Sequence, residues 1–214
     1  MATKTETKAD VILAAALREF IKTGYMGTSL DRIAKAAKVS KPTLYSYFHD
    51  KASLFEAVIK GQIQTFSQDM TKLSLDWNFQ VSPDPNSYPD PRTLLLMVLN
   101  RLLDRMLNNT DQHHEIVRLL LGESGRFPNL AQQVIASVHK PVIDRLSHLL
   151  TTHPQIHCAD PRLTACTLFG SLIYYTMTQH MLQSALILPI DRDIYLNNLV
   201  SLALTPPSPE SQRF

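Results

Sequence analysis

A chain of 214 residues with 44% hydrophobic and 19% charged side chains can bury a sizeable core and lacks the low hydrophobicity and high net charge of a disordered protein. Its net charge of +2 is unevenly placed: residues 1–60 carry ten Lys and Arg against six Asp and Glu, and the remainder carries eleven against thirteen, which suits nucleic-acid contact at one end only. The start, MATKTETKAD, lacks the apolar core of a signal peptide, no run is apolar enough to span a membrane, and two cysteines are too few for a disulfide framework, so a reducing cytoplasm is expected.

Residues 1–8 read as a mobile polar arm. From Ala9, Leu13, Leu17, Phe20 and Ile21 fall on one helical face, and Gly24 supplies a stop. Thr28 or Ser29 can cap a second helix, in which Leu30, Ile33, Ala34 and Ala37 face inward and Arg32, Lys35 and Lys38 face outward. After Val39, Ser40 caps a third helix that accepts Pro42 in its first turn, where no intrahelical N–H bond is needed. If Leu44 and Phe48 point inward, Pro42, Thr43 and Ser46 point outward with Tyr45 and Tyr47 on the flanks. Hydroxyls and a methyl in that set can meet base edges, and tyrosine hydroxyls can donate to phosphates. Asp50 caps a fourth helix, whose first residue, Lys51, is placed to hold a phosphate.

Helix four is predicted over residues 51–77, and the four prolines of VSPDPNSYPDPR (81–92) then break regular structure, as a connector rather than a lid. Further helices are predicted over 92–107, 113–126, 128–150 with a kink at Pro141, 162–183 and 191–203, before a disordered tail at 205–214. No strand alternation stands out. The expected fold is all-α, with a helix-turn-helix head at 1–50 and a larger helical domain at 51–204.

The residues Gly24-Tyr25, Thr28-Ser29, Ile33-Ala34, Ala36-Ala37, Val39-Ser40, Thr43-Leu44-Tyr45, Phe48 and Lys51-Ala52-Ser53-Leu54 resemble the TetR family of bacterial transcriptional regulators. The resemblance implies a bacterial, cytoplasmic homodimer that binds a near-palindromic double-stranded DNA operator, usually as a repressor released by a small molecule. It matches Thr28, Tyr45 and Lys51 to phosphate-contacting places, and Lys41, Pro42, Thr43 and Tyr47 to base-reading places. The stretch GESGRFPNLAQQV (122–134) is similar to the AefR-like branch. One position departs: Lys38 stands in the turn where the family usually has glycine, a residue favoured there for its tolerance of positive φ.

In the larger domain, Phe66, Trp77, Met97, Arg101, His113, His114, Arg118, Phe127, Tyr174, Met177 and His180 could line a site for a small, largely apolar or aromatic effector. Leu168, Leu172, Leu196, Leu199 and Val200 on the last two helices are candidates for a four-helix dimer interface, although such stripes are as readily internal core. His148, His153, His157 and Cys158 fit no closed zinc motif, and no phosphate loop, nucleophile elbow or carboxylate pair emerges, so no metal, cofactor or enzymatic activity is expected. Two rival readings are a helical ligand-binding or scaffold protein whose helix-turn-helix no longer reads DNA, with Lys38 as the sign, and a thiol sensor using Cys158 and Cys166.

Overall fold

The computed structural model describes residues 7–75, 88–107 and 111–205, and among the described residues every regular element is helical. The α-helices in chain order are α1 (Lys8–Gly27), α2 (Leu30–Ala36), α3 (Lys41–Tyr47), α4 (Lys51–Leu75), α5 (Pro91–Leu107), α6 (Asp111–Glu123), α7 (Pro128–Val134), α8 (Lys140–Thr152), α9 (Pro161–Thr176) and α10 (Arg192–Leu204). The sequence-derived boundaries agree with these to within a few residues. Trp77, the loop segment 81–87 and the tail from 206 lie outside the described residues.

Helix α1 begins earlier than expected. The Thr7 hydroxyl accepts the Asp10 N–H at 3.2 Å while the Asp10 carboxylate accepts the Thr7 N–H at 3.0 Å, a reciprocal capping box. Thr7 and Lys8 therefore belong to the helix start and not to the arm assigned to 1–8. The buried face of α1 runs through Ile12, Ala15, Ala16 and Phe20, rotated from the expected one so that Leu13 and Ile21 stay partly exposed. Gly24, at φ 69°, breaks the helix as anticipated, because an L residue resists that conformation.

The kink expected at Pro141 takes the form of one π-type turn, Ile135–His139, between α7 and α8. Proline lacks an N–H and its ring crowds the carbonyl four residues back, so the helix widens immediately before it. A second π-type turn, Met177–Met181, ends α9.

The packing forms two compact units, residues 1–67 with 111–137 and residues 68–110 with 138–214. These differ from the 1–50 and 51–204 division expected from the sequence. The reason lies in the first unit's aromatic core: Phe55 packs edge-on against Phe20 and Tyr25 with centroids 5.1 Å away, and Phe127 sits 4.7 Å from Phe55 and 5.1 Å from Tyr25. The start of α4 and the α6–α7 segment are thereby part of the same body as α1–α3.

The second unit is built from α5, α8, α9 and α10 around Leu95, Leu99, Leu102, Leu146, Leu172 and Val200, each fully buried or nearly so. Each such side chain stabilises the unit by roughly 1.5–3 kcal/mol. The expected dimer-interface residues belong to this core. Leu168, Leu172, Leu196, Leu199 and Val200 are between 0% and 8% exposed and pack against their own chain, and Leu168 and Leu199 also border a surface groove. His153 is likewise interior: its Nε2 donates to the Pro89 carbonyl at 3.0 Å while Nδ1 accepts the Gln155 N–H at 3.3 Å, which occupies both ring nitrogens.

Candidate nucleic-acid interface

Two short helices and one tight turn form the outer part of the first unit. Ser29 caps α2 by accepting the Arg32 N–H at 3.3 Å, and Ser40 caps α3 by accepting the Thr43 N–H at 3.2 Å. Between them the Val39 N–H reaches the Ala34 carbonyl at 3.0 Å and the Lys38 N–H reaches the Lys35 carbonyl at 3.2 Å. This is the hydrogen-bond pattern of a Schellman ending, with Lys38 at φ 53° in the place glycine usually takes. The turn therefore keeps its geometry and lysine bears the strain, which removes the sign of a lapsed DNA reader.

Leu44 is completely buried and anchors α3 by its inner face. Lys41, Pro42, Tyr45, Ser46 and Tyr47 are exposed and Thr43 half-buried, so the outer face is polar and uncovered. The Thr43 hydroxyl lies 2.8 Å from the Ser40 hydroxyl, within the cap. Lys41 donates to Asp31 at 2.7 Å across the turn, a pair that sequence spacing did not reveal. Asp31 raises the Lys41 pKa, first by this hydrogen bond and then by its charge. Both partners are solvent-exposed, so the pair is readily exchanged for another anion.

The expected phosphate set divides. Tyr45 is 46% exposed. Thr28, by contrast, is 3% exposed: its hydroxyl donates to the Gly24 carbonyl at 2.7 Å and lies 2.8 Å from the Thr23 hydroxyl, so the side chain braces the end of α1 and is not presented to a phosphate. Lys51 donates to the carbonyls of Tyr25 at 2.8 Å and Thr28 at 2.9 Å, and its ammonium lies 4.5 Å from the Tyr25 ring centroid. Two of its three donors thus cap backbone carbonyls near Gly24, a structural task that the motif alone did not reveal.

The expected effector residues that the structure describes are divided between the two units. In the first, Phe66 stacks edge-on against His113 at 4.2 Å, His113 lies beside His114, Arg118 pairs with Glu115, and Phe127 belongs to the aromatic core. The His114 Nε2 is buried without a hydrogen-bond partner among the described residues. In the second, Met97 packs against the core and Met177 is half-buried. Arg101 is exposed, and Tyr174 is 44% exposed on the outer face of α9, so these two are surface residues rather than pocket walls. A polar crevice of about 170 Å³ in the first unit, between Glu56 and Lys60 of α4 and Asn129 and Gln133 of α7, includes Phe127 alone of the expected set. No helix among the described residues is long and apolar enough to cross a membrane.

Comparison with known proteins agrees with this geometry. Residues 12–58 match the family model for bacterial regulatory proteins of the tetR family, and residues 94–194 match that for the AefR-like transcriptional repressor C-terminal domain. An HTH-type transcriptional repressor of Streptomyces coelicolor is 30% identical over 112 residues, 52% of this chain and 47% of that protein. The chain spans about half or less of the length of the curated relatives it matches. Among solved structures, the transcriptional regulator FadR from Bacillus subtilis in complex with stearoyl-CoA is similar with a TM-score of 0.59 at 21% identity, covering 92% of this chain and 98% of that one. AibR in complex with isovaleryl coenzyme A and operator DNA gives a TM-score of 0.57 at 18% identity, covering 94% and 100%. At such identities the structural likeness speaks for the fold.

Proposed function

The chain belongs to the TetR family of bacterial regulatory proteins, and from that premise we propose that it is a transcriptional repressor that binds a near-palindromic operator as a homodimer in the bacterial cytoplasm. The observation that carries this reading is the outer face of α3. A helix pinned by a fully buried Leu44 leaves Lys41, Pro42 and Tyr47 exposed and Thr43 half-buried, which supports reading these four as base contacts and the exposed Tyr45 as a phosphate contact. Residues 1–50 supply the reading head. One helix of seven residues buries little base surface, so two heads on half-sites about 34 Å apart are needed.

Release follows from an effector held within residues 51–204. A small, largely apolar or aromatic molecule is the class proposed, and the acyl-coenzyme A thioesters held by FadR and AibR are relatives' ligands with a long or short apolar chain. Such a molecule acts by binding more tightly to the conformer that cannot span both half-sites.

Selection of binding sites from random duplexes tests the reading. A palindrome with half-sites one helical turn apart is the expected product, and recovery of no palindrome at any salt concentration overturns the repressor assignment.

A further inference from the structure

Between Thr28 and Lys51 the chain carries the cations Arg32, Lys35, Lys38, Lys41 and Lys51, and the fold treats them unequally. Three are committed to partners within the chain. Arg32 pairs with Glu19 at 2.9 Å, Lys41 pairs with Asp31 at 2.7 Å, and Lys51 is held by the Tyr25 and Thr28 carbonyls. Lys35 and Lys38 are exposed, and neither ammonium has a hydrogen bond or an ion pair among the described residues. The acids nearest in sequence are already engaged. Asp31 and Glu19 hold Lys41 and Arg32, and Asp50 accepts the Ser53 N–H at 2.7 Å in capping α4.

Lys38 is also the residue that bears the strain of the turn. At φ 53° it occupies a conformation that glycine adopts freely and that a Cβ makes costly. The bonds that define the turn, from the Lys38 N–H to the Lys35 carbonyl and from the Val39 N–H to the Ala34 carbonyl, belong to the main chain, and glycine would form them equally well. Among the described residues nothing that the Lys38 side chain touches offsets this cost. A backbone outlier without an internal compensation points to a role met outside the folded chain.

The position of the two lysines names the partner. In a helix-turn-helix the first helix crosses the sugar-phosphate backbone while the first residues of the second reach base edges. Lys35 lies in the last turn of α2, Lys38 stands just beyond its end, and Lys41 opens α3. The two unpaired cations thus precede the reading helix, on the side where the backbone passes.

We propose that Lys35 and Lys38 each take a phosphate of the operator backbone at the lip of the groove read by α3, and that the strained lysine at 38 is kept for that contact. The proposal rests on the operator-binding reading and adds to it two contacts outside the set of Thr28, Tyr45 and Lys51. Both contacts are blind to sequence, so they strengthen binding to every duplex and carry their signature in its salt dependence.

Lys38→Gly and Lys38→Asn test this, since glycine and asparagine both accept positive φ and both remove the charge. Each is expected to make the slope of log affinity against log salt shallower by about one unit, on a selected operator and on a random duplex alike. The deficit against the unaltered chain should then shrink about threefold between about 50 and 200 mM salt. Adding Lys35→Ala should remove about one unit more, whereas Lys38→Arg should keep the original slope. The melting temperature of Lys38→Gly is expected to be unchanged or raised, which separates weaker binding from a weaker fold. An unchanged slope in both Lys38→Gly and Lys38→Asn overturns the contact while leaving the repressor reading in place. A slope as shallow in Lys38→Arg as in Lys38→Gly overturns it too, because the charge is then not what the site uses. A chain that binds neither duplex at any salt concentration overturns the operator reading and this contact with it.

Discussion

The outer faces of α3 and of the α9–α10 pair are both uncovered, yet they differ sharply in chemistry. On α3 the exposed groups are Lys41, Pro42, Tyr45, Ser46 and Tyr47, four of them polar, which can trade hydration or a local partner such as Asp31 for phosphates and base edges. On α9 and α10 the exposed groups are Leu163, Ile194 and Leu202, which gain only by leaving water altogether. Exposure marks a surface as available, and the chemistry of what is exposed suits one face to hydrated, charged groups and the other to dry apolar contact.

The largest effect should come from spoiling the dry face. Leu163→Glu combined with Leu202→Glu is expected to weaken both self-association and operator binding by roughly a hundredfold, while thermal unfolding of the chain moves little, because neither side chain is in the core. Sedimentation and operator titration on the same sample check this, and loss of fold without loss of association would break the contrast between inner and outer faces.

On the polar face, Thr43→Ala and Lys41→Ala should each relax preference at one base pair by about 1–3 kcal/mol. Lys51→Met sharpens the division within that region. Loss of its two carbonyl bonds should lower folding stability by about 1–2 kcal/mol, read by denaturant titration, whereas a lysine used only for DNA would leave stability unchanged. Lys38→Gly should raise stability by at most about 1 kcal/mol, since relief of the positive φ is partly offset by the freer unfolded chain.

The smallest effect concerns pH in the second unit. Burial lowers the His139 pKa, so the unfolded chain binds more protons than the folded one between the depressed folded value and about 6.5. Its contribution is therefore full above that window and is lost as pH falls through it. The melting temperature should decline on acidification through this range, and His139→Asn should flatten the decline.

Much of the head was legible in the chain because its signals are local. Ser40 and Asp50 as caps, Gly24 as a break, Leu44 as the buried anchor and the tyrosines as outward groups each follow from a few neighbouring residues. The structural partners of Thr28 and Lys51 are hidden for the opposite reason. They are backbone carbonyls up to 26 residues away, and no pattern of side chains records a carbonyl. The apolar residues of α9 posed a third problem, since a helix hydrophobic on both sides does not declare which side faces its own core. Leu168 and Leu172 went inside while Leu163 stayed out.

By itself, then, the sequence determined the helical class, the family, the order of the helices and the orientation of α3, because caps, breakers and a buried anchor act within one or two turns. Only the tertiary structure decided that Phe127 joins the head's aromatic core, that Lys51 braces the end of α1, and which faces of α9 and α10 remain open. Those outcomes depend on contacts between segments distant in the chain, where close packing selects one arrangement among several that the local pattern allows equally.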